Sequence, residues 1–400
     1  MRVDILSKEY PPNVYGGAGV HVAELVKALR ARGDVDAQVR AFGNAQSEPG
    51  TTGYPDLAEL ASANAALQTL GVDLAIAADC AGTDLVHSHT WYANMAGHIG
   101  SLLHGVPHVI SAHSLEPLRP WKAEQLGGGY RVSSWVEKTA YEAAAAVIAV
   151  SHGMREDILR CYPSIDPATV RVVHNGIDAE MWSPDHSDAA KDVCRQHGVD
   201  PDARSIIFVG RQTRQKGLPH MLRAARELPP DVQLILCAGA PDTKEIGEEI
   251  QGLISELQQL RKGVVYIPQM LPRAQVIALE SHATAFICPS IYEPLGIVNL
   301  EAMACEVAVV ATRTGGIPEV VVDGETGWLI DIEQVQDGTG TPLDEKKWEA
   351  DLAAVMNEAV SDPERAKAYG VAGRKRAVEQ FSWTSIGDKT MEVYQSVLGG

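Results

Sequence analysis

The stretch Cys288 to Glu301 reads CPSIYEPLGIVNLE, and it decides the fold. Just ahead of it, Thr284-Ala285-Phe286-Ile287 is a short run of the kind a buried strand makes. Pro289 and Pro294 bracket a turn, and from Gly296 onward Ile297, Leu300 and Ala304 recur at helical spacing. Strand, turn and helix together are the unit of an open α/β sheet, which binds ligands beyond the carboxyl ends of its strands. Glu293 then stands on the loop leaving the strand, and Glu301 lies in the first turns of the helix. The unpaired N–H groups at the helix start, near Ile297 and Val298, carry partial positive charge and suit a phosphate. The plainer alternative makes Glu293 a solvated loop residue and Glu301 part of a solvated helix face.

The chain around this stretch repeats the same rhythm. Ile206 to Gly210 is a predicted strand, followed by Arg211 and then by Lys216-Gly217 before a helix. Two fixed cations at a strand's carboxyl end suit a diphosphate, each charge-assisted bond contributing roughly 1.5–3 kcal/mol. Val232–Cys237, Val264–Ile267, Ala285–Cys288 and Val307–Ala311 read as further strands. With helices between them they predict a parallel, doubly wound sheet. Thr314-Gly315-Gly316 is a second glycine turn opening a helix, Gln334 to Pro342 reads as loop, and helices are expected over Leu343–Ala359, Pro363–Glu379 and Trp383–Val397.

The first half begins with a strand, Val3 to Leu6, and a loop to Tyr15. Gly16-Gly17-Ala18-Gly19 then opens a helix whose inner face is expected to be Val20, Leu25, Val26 and Leu29. The loop does not match GxGxxG, which argues against a dinucleotide site. After the strand Ala37–Phe42, the segment Leu85-Val86-His87-Ser88-His89 reads as a strand with both histidines on one face. No further ligand is spaced along the sequence to make zinc of them, so they are expected to be polar strand-end groups near a sugar. His113 falls at the carboxyl end of a strand over His108–Ala112. Asp34-Val35-Asp36 has the form of an acidic metal motif but sits at the wrong end of its strand, so a solvated turn is expected. Arg119, Trp121, Lys122, Arg131, Trp135 and Lys138 interleave cations with aromatic rings, which suits a sugar or sugar-phosphate acceptor; the alternative is a solvated amphipathic helix, the expected place for Lys138. Strands over Ala146–Val150 and Val170–Val173 complete this half. A proline-containing connector ending near Pro184 divides the chain into domains at 1–180 and 181–382, with the last helix, 383–400, returning to the first.

Four hundred residues exceed what one core sustains. A net charge of -18 argues against nucleic acid and anionic membrane as partners. The six cysteines are scattered without a CxxC pair, as expected of free thiols in the cytoplasm. The amino terminus does not read as a signal peptide, and no stretch approaches a membrane span.

Taken together, the Gly16-Gly17-Ala18-Gly19 loop, His113, Gly210-Arg211 with Lys216-Gly217, Glu293 and Glu301, and Thr314-Gly315-Gly316 resemble the retaining glycosyltransferases of the GT-B fold. The resemblance runs in family order over essentially the whole chain. The run from His113 to Lys122, HSLEPLRPWK, is similar to the short actinobacterial glycogen synthases, which use ADP-glucose and include maltose-1-phosphate synthases. The resemblance implies two Rossmann-like domains facing across a cleft. It implies transfer of glucose from ADP-glucose to the 4-hydroxyl of an α-1,4-glucan or of glucose 1-phosphate, with retention and without a metal or other cofactor. Arg211 and Lys216 would hold the diphosphate, aided by amides at Ile297 and Val298 and in the loop of Gly16, Gly17 and Gly19. Glu301 would bind the ribose, Glu293 the donor-sugar hydroxyls, and His113 would lie against that sugar. His89, Trp91, Arg119, Lys122 and Arg131 are the acceptor-side candidates; the oligomeric state is left open, with a homodimer among the choices.

Two departures stand out. The family's larger synthases carry a lysine two residues before the first glycine, where this chain has Val14, and their HDWH pattern is His89-Thr90-Trp91-Tyr92 here. Transfer to an inositol phosphate or a lipid, a nucleotide-sugar epimerase and a non-catalytic sugar-binding protein remain open as alternatives.

Overall fold

The computed structural model describes residues 1–14, 16–44, 48–120, 122–123, 127–335 and 339–399. Trp121 lies outside them. The chain forms two compact units, Met1–Gly176 with Trp383–Gly400, and Ile177–Ser382.

Among the described residues the first unit holds seven parallel strands: β1 (Arg2–Ser7), β2 (Asp36–Phe42), β3 (Thr51–Tyr54), β4 (Leu85–His89), β5 (His108–Ala112), β6 (Ala146–Ala149) and β7 (Val170–Val172). Their order is β3-β2-β1-β4-β5-β6-β7. The chain therefore changes direction of travel between β1 and β4, where such sheets open a crevice at the carboxyl ends. Ser7 pairs with His89, and His89 with Ser111, so those ends lie level.

The sheet is covered by helices, and its mostly apolar strands carry several buried polar side chains, among them Ser7, His87, Ser88, His89, His108 and Ser111. Asp4, fully buried in β1, takes Arg40 Nε at 2.6 Å and Arg2 Nε at 3.1 Å. Arg40 in turn donates to Tyr54 Oη at 2.5 Å, tying β1 to β2 and β3. The helix Gly17–Arg32 buries His21, Val22, Leu25, Val26 and Leu29. Val20, expected inside, is half-buried; Val22 takes its place. The helix Trp383–Leu398 adds Trp383, Ile386, Met391 and Tyr394 to the same core.

The second unit holds β8 (Ser205–Gln212), β9 (Gln233–Pro241), β10 (Val264–Ile267), β11 (Ala285–Cys288), β12 (Ala308–Thr312) and β13 (Gly327–Ile330). They are parallel in the order β10-β9-β8-β11-β12-β13. β8 carries Arg211 inside the strand, beside a register shift, rather than on the following loop. The helix after Gly316 is only Ile317–Val320. The helices Glu345–Ser361 and Pro363–Gln380 are each started by an aspartate, Asp344 and Asp362, whose carboxylates accept backbone N–H groups. The cysteines are free, and all but the half-buried Cys161 are buried. Among the described residues no helix is long and apolar enough to cross a membrane.

Candidate active site

In the second unit, three turns meet at the carboxyl end of β11. The loop Pro289–Gly296 leaves that strand, and two glycine turns hold it. Gly217 has φ +62°, and a Cβ there would lie 1.9 Å from the Pro289 carbonyl oxygen. Gly315 has φ +53°, and its Cβ would lie 2.0 Å from the Glu293 carbonyl oxygen. No side chain fits at either contact. Backbone bonds complete the clamp: Ile291 N–H donates to the Gln215 carbonyl at 2.9 Å, and Gly316 N–H to the Glu293 carbonyl at 3.0 Å.

The clamp aims two opposite charges at each other. Lys216 Nζ donates to Glu293 Oε2 at 2.6 Å, and Ser290 Oγ donates to the same oxygen at 3.1 Å. Glu293 is 7% exposed, which disposes of the solvated-loop alternative. Burial works against the Lys216 ammonium, but the Glu293 carboxylate and the Cys288 thiol outweigh it, so Lys216 titrates above its usual range. Beside this pair, Gly296 begins the helix Ile297–Ala304 without a side-chain cap. The first amides, at Ile297 and Val298, thus remain available to an anion.

Glu301 lies one turn inside that helix, half-buried. Burial pushes its carboxyl up to about 7, against the pull of Arg273 and Lys216. The fully buried Glu280 is raised further, first by burial and then by Glu301. Arg211 adds positive charge near Lys216, which it biases downward. Its own Nη1 donates to Asp242 Oδ1 at 2.8 Å. The four residues Arg211, Lys216, Glu293 and Glu301 therefore share one neighbourhood, with Arg211 engaged by a partner absent from the sequence reading. Cations and open amides around one carboxylate can hold a diphosphate and leave Glu293 for a neutral, hydroxyl-bearing group.

In the first unit, the glycine loop is already partly engaged. Gly16 N–H donates to Glu9 Oε2 at 2.8 Å, and a Cβ at Gly19 would meet Glu9 at 2.7 Å. Of the loop amides proposed for phosphate, that of Gly16 thus faces a carboxylate, while Gly17 opens the helix.

His89 Nδ1 and His113 Nε2 lie 3.0 Å apart. Burial holds both imidazoles well below the usual histidine range, so they are neutral near pH 7. His21 joins them, its ring centroid 4.7 Å from that of His113. The sequence reading found no further ligand near His87 and His89; the helix Gly17–Arg32 supplies one in His21, and the end of β5 another in His113. His87 is held elsewhere, by Tyr394 Oη at 2.6 Å and Ser111 Oγ at 2.9 Å.

The loop after His113 rests on two buried acids. Glu137 Oε1 accepts Glu116 N–H at 2.8 Å and the Tyr162 hydroxyl, and Ser133 Oγ donates to Glu116 Oε2 at 2.5 Å. Burial and then the Glu116 carboxylate push Glu137 up to about 8.

The expected acceptor cations are not gathered as a set. Arg131 and Lys138 are exposed on the helix Gly129–Ala143, and Trp135 is exposed beside them. Arg119 donates to Ser114 Oγ at 3.0 Å. Lys122, buried, faces the Tyr92 ring at 5.8 Å, and Lys8 covers the same ring at 4.3 Å. Lys8, Asp56, Gln68, Thr69, Trp91 and Tyr92 line a cavity of about 120 Å³. Lys8 lies in the first βα loop with no spacing signal, so it could be found only through the fold. Asp34, in the solvated turn, is paired with Arg32.

The chain matches the model of Glycosyltransferase Family 4 over residues 15–181 and that of Glycosyl transferases group 1 over residues 191–376. It is 54% identical to the alpha-maltose-1-phosphate synthase of Mycolicibacterium smegmatis over 99% of this chain and all of that protein. It is 52% identical to the enzyme of the same name from Mycobacterium tuberculosis, with the same coverage. Among solved structures, Anabaena HepE in complex with UDP-glucose superposes with a TM-score of 0.77 at 22% identity, over 99% of this chain and 100% of that one. The two parallel sheets, the clamped Lys216–Glu293 loop and these matches place the chain in the GT-B glycosyltransferases, within the family that holds the alpha-maltose-1-phosphate synthases.

Proposed function

We propose that this glycosyltransferase moves glucose from ADP-glucose to the 4-hydroxyl of glucose 1-phosphate or of an α-1,4-glucan, with retention of anomeric configuration. The observation that carries the reading is the Lys216–Glu293 ion pair at 2.6 Å beside the uncapped start of the helix Ile297–Ala304. Lys216, Arg211 and the amides of Ile297 and Val298 stabilise the negative charge that builds on the leaving phosphate. Glu293 accepts hydroxyls of the donor sugar and steadies positive charge at its anomeric carbon. Glu301 accepts the ribose hydroxyls, and His113 lies against the donor sugar.

The acceptor 4-oxygen approaches from the face the phosphate leaves. As the new C–O bond forms and the sugar–phosphate bond breaks, a phosphate oxygen takes the acceptor's proton. A second carboxylate at double-displacement spacing is not needed. Positive side chains and amides supply the electrostatic help, so turnover requires no metal.

Glucose 1-phosphate is the favoured acceptor, because the relatives at 52–54% identity are named for alpha-maltose 1-phosphate, the product of transfer to it. The test offers ADP-glucose and UDP-glucose separately, each with glucose 1-phosphate and with glycogen. The expected result is α-maltose 1-phosphate from ADP-glucose. Transfer to glycogen alone, preference for UDP-glucose, or donor turnover without any acceptor would each overturn a named part of the reading.

A further inference from the structure

Three imidazoles from three different elements converge in the first unit. His21 comes from the helix Gly17–Arg32, His89 from the end of β4 and His113 from the residue after β5. One ring nitrogen of each lies within 4.8 Å of the others. His89 and His113 are already at 3.0 Å through Nδ1 and Nε2. His21 is 2% exposed, and among the described residues neither of its ring nitrogens makes a hydrogen bond of normal geometry, the Asn175 side chain acting on the ring only as a weak partner; Nε2 of the fully buried His89 has none either.

Buried ring nitrogens normally find a partner, since leaving one unmade costs about 1–3 kcal/mol. The same core shows the satisfied pattern nearby. His87 bonds Tyr394 and Ser111 through both ring nitrogens, whereas His108 bonds Ser88 Oγ through Nε2 at 2.7 Å and leaves Nδ1 without a partner. The second group with ligand-like spacing, His220 with Glu345 and Glu349, differs too. There His220 and Arg223 both already bond Glu349. The triad is the group whose nitrogens converge with capacity left over.

The donor set is chemically specific. Imidazole nitrogens suit zinc, copper, nickel and cobalt dications and not magnesium or calcium, which prefer oxygen. A zinc–nitrogen bond of about 2.0–2.1 Å asks for nitrogens roughly 3.3 Å apart, close to the 3.0 Å between His89 Nδ1 and His113 Nε2, whose mutual hydrogen bond the ion would replace. The third nitrogen, on His21, lies within 4.8 Å of the other two. Three protein ligands leave a fourth position for water or an inhibitor, and the half-buried His113 gives a route to solvent.

We infer that His21, His89 and His113 form a binding site for one zinc-type transition-metal dication, and that filling this site inhibits the enzyme. Inhibition follows because the metal takes the His113 ring away from the donor sugar. That half rests on the function proposed above; the binding half does not.

The experiment uses the untagged full-length chain, freed of metal with a chelator and titrated with Co2+. Visible ligand-field absorption saturating at one equivalent is expected, displaced by Zn2+. The band should vanish in His21→Gln and in His89→Gln, with circular dichroism and the cooperativity of thermal unfolding of each variant checked as a sign that both units are folded. No band in the parent chain overturns the site, as does a band that survives in both variants. Should both variants fail to fold, the parent titration still decides binding, and histidine-ring NMR shifts on Zn2+ addition identify the ligands. In the turnover assay, Zn2+ at tenfold excess over its Kd should raise the apparent donor KM about elevenfold if the two exclude each other. Co2+ binding with an unchanged KM overturns the inhibition alone. Absence of glucosyl transfer in metal-free protein overturns the proposed function and leaves the binding result standing.

Discussion

Lys216 and Glu293 lie 77 residues apart in sequence and 2.6 Å apart in the fold, their heads joined where two glycine turns press on one loop. The pair is mostly buried, at 19% and 9% side-chain exposure. Removing one member therefore strands the other, a change that typically costs roughly 3 kcal/mol or more. Lys216→Ala should lower kcat by about 100- to 1000-fold, the range seen when one donor to a developing anion is lost. It should also lower the urea midpoint. Glu293→Gln in the same chain should recover part of the stability and none of the turnover. Near-parental kcat in Lys216→Ala would remove the leaving-group role.

Arg211 faces a competitor. Asp242 holds its Nη1 at 2.8 Å, and a bound diphosphate would have to share or displace that carboxylate. Asp242→Asn keeps the size and removes the charge, so ADP affinity measured by calorimetry should rise about fivefold, near 1 kcal/mol. Arg211→Ala should weaken it by at least as much. Weaker ADP binding in Asp242→Asn would mean that the aspartate positions Arg211 rather than competing for it.

Glu301 titrates at about 7 because burial disfavours its charge. Its proposed task, accepting ribose hydroxyls, is best done by the ionised form. Nucleotide affinity should therefore fall as pH drops below about 7, and donor KM should rise there. Glu301→Gln should bind more weakly at pH 8 and flatten the dependence. A parental profile that stays flat from pH 6 to 8 contradicts this role.

Two sets of buried groups pull stability in opposite directions with pH. Burial holds His21 at about 4 and His108 at about 3 in the folded chain, so below about 6.5 the unfolded chain binds more protons and stability falls as the solution is acidified. Glu137 is pushed up to about 8, so between about 4.5 and 8 the folded chain holds the extra proton and this group's contribution falls as pH rises. Glu137→Gln mimics the protonated acid and can still accept from Glu116 N–H and Tyr162. Its urea midpoint should lose less than the parent's between pH 6 and 9, with a gain of about 1–2 kcal/mol at the alkaline end. Parallel profiles for the two chains would show that Glu137 is ionised in the fold.

Much of this architecture is legible in the sequence because a parallel sheet covered on both faces needs unbroken apolar strands. Ile206–Gly210 and Ala285–Cys288 announce themselves that way, and Val3–Leu6 does so despite the buried Asp4. β3 and β13 do not: Thr51-Thr52-Gly53-Tyr54 and Gly327-Trp328-Leu329-Ile330 are four residues each and open on threonine or glycine. Lys216 and Glu293 can be expected together because each follows a strand at the same edge of one sheet. Glu9, Asp242 and His21 carry no such signal. Their meetings with Gly16, Arg211 and His113 depend on how loops close and on which side of a helix faces the strand ends. The interleaved cations and rings from Arg119 to Lys138 are harder to place from sequence for a related reason. Helical spacing sends Arg131 and Lys138 to solvent, while Lys8, far away in sequence, comes to lie over Tyr92.

The helix Trp383–Leu398 packs Trp383, Ile386 and Tyr394 into the core that Val3 and Leu25 begin. A ribosome therefore releases the opening sheet long before it delivers the wedge that completes it. The intervening 206 residues, Ile177–Ser382, carry their own sheet and core and can fold first. The earliest-made half of the protein is thus the later to mature, and during synthesis its apolar surface around β1 and β4 is the part most in need of a chaperone.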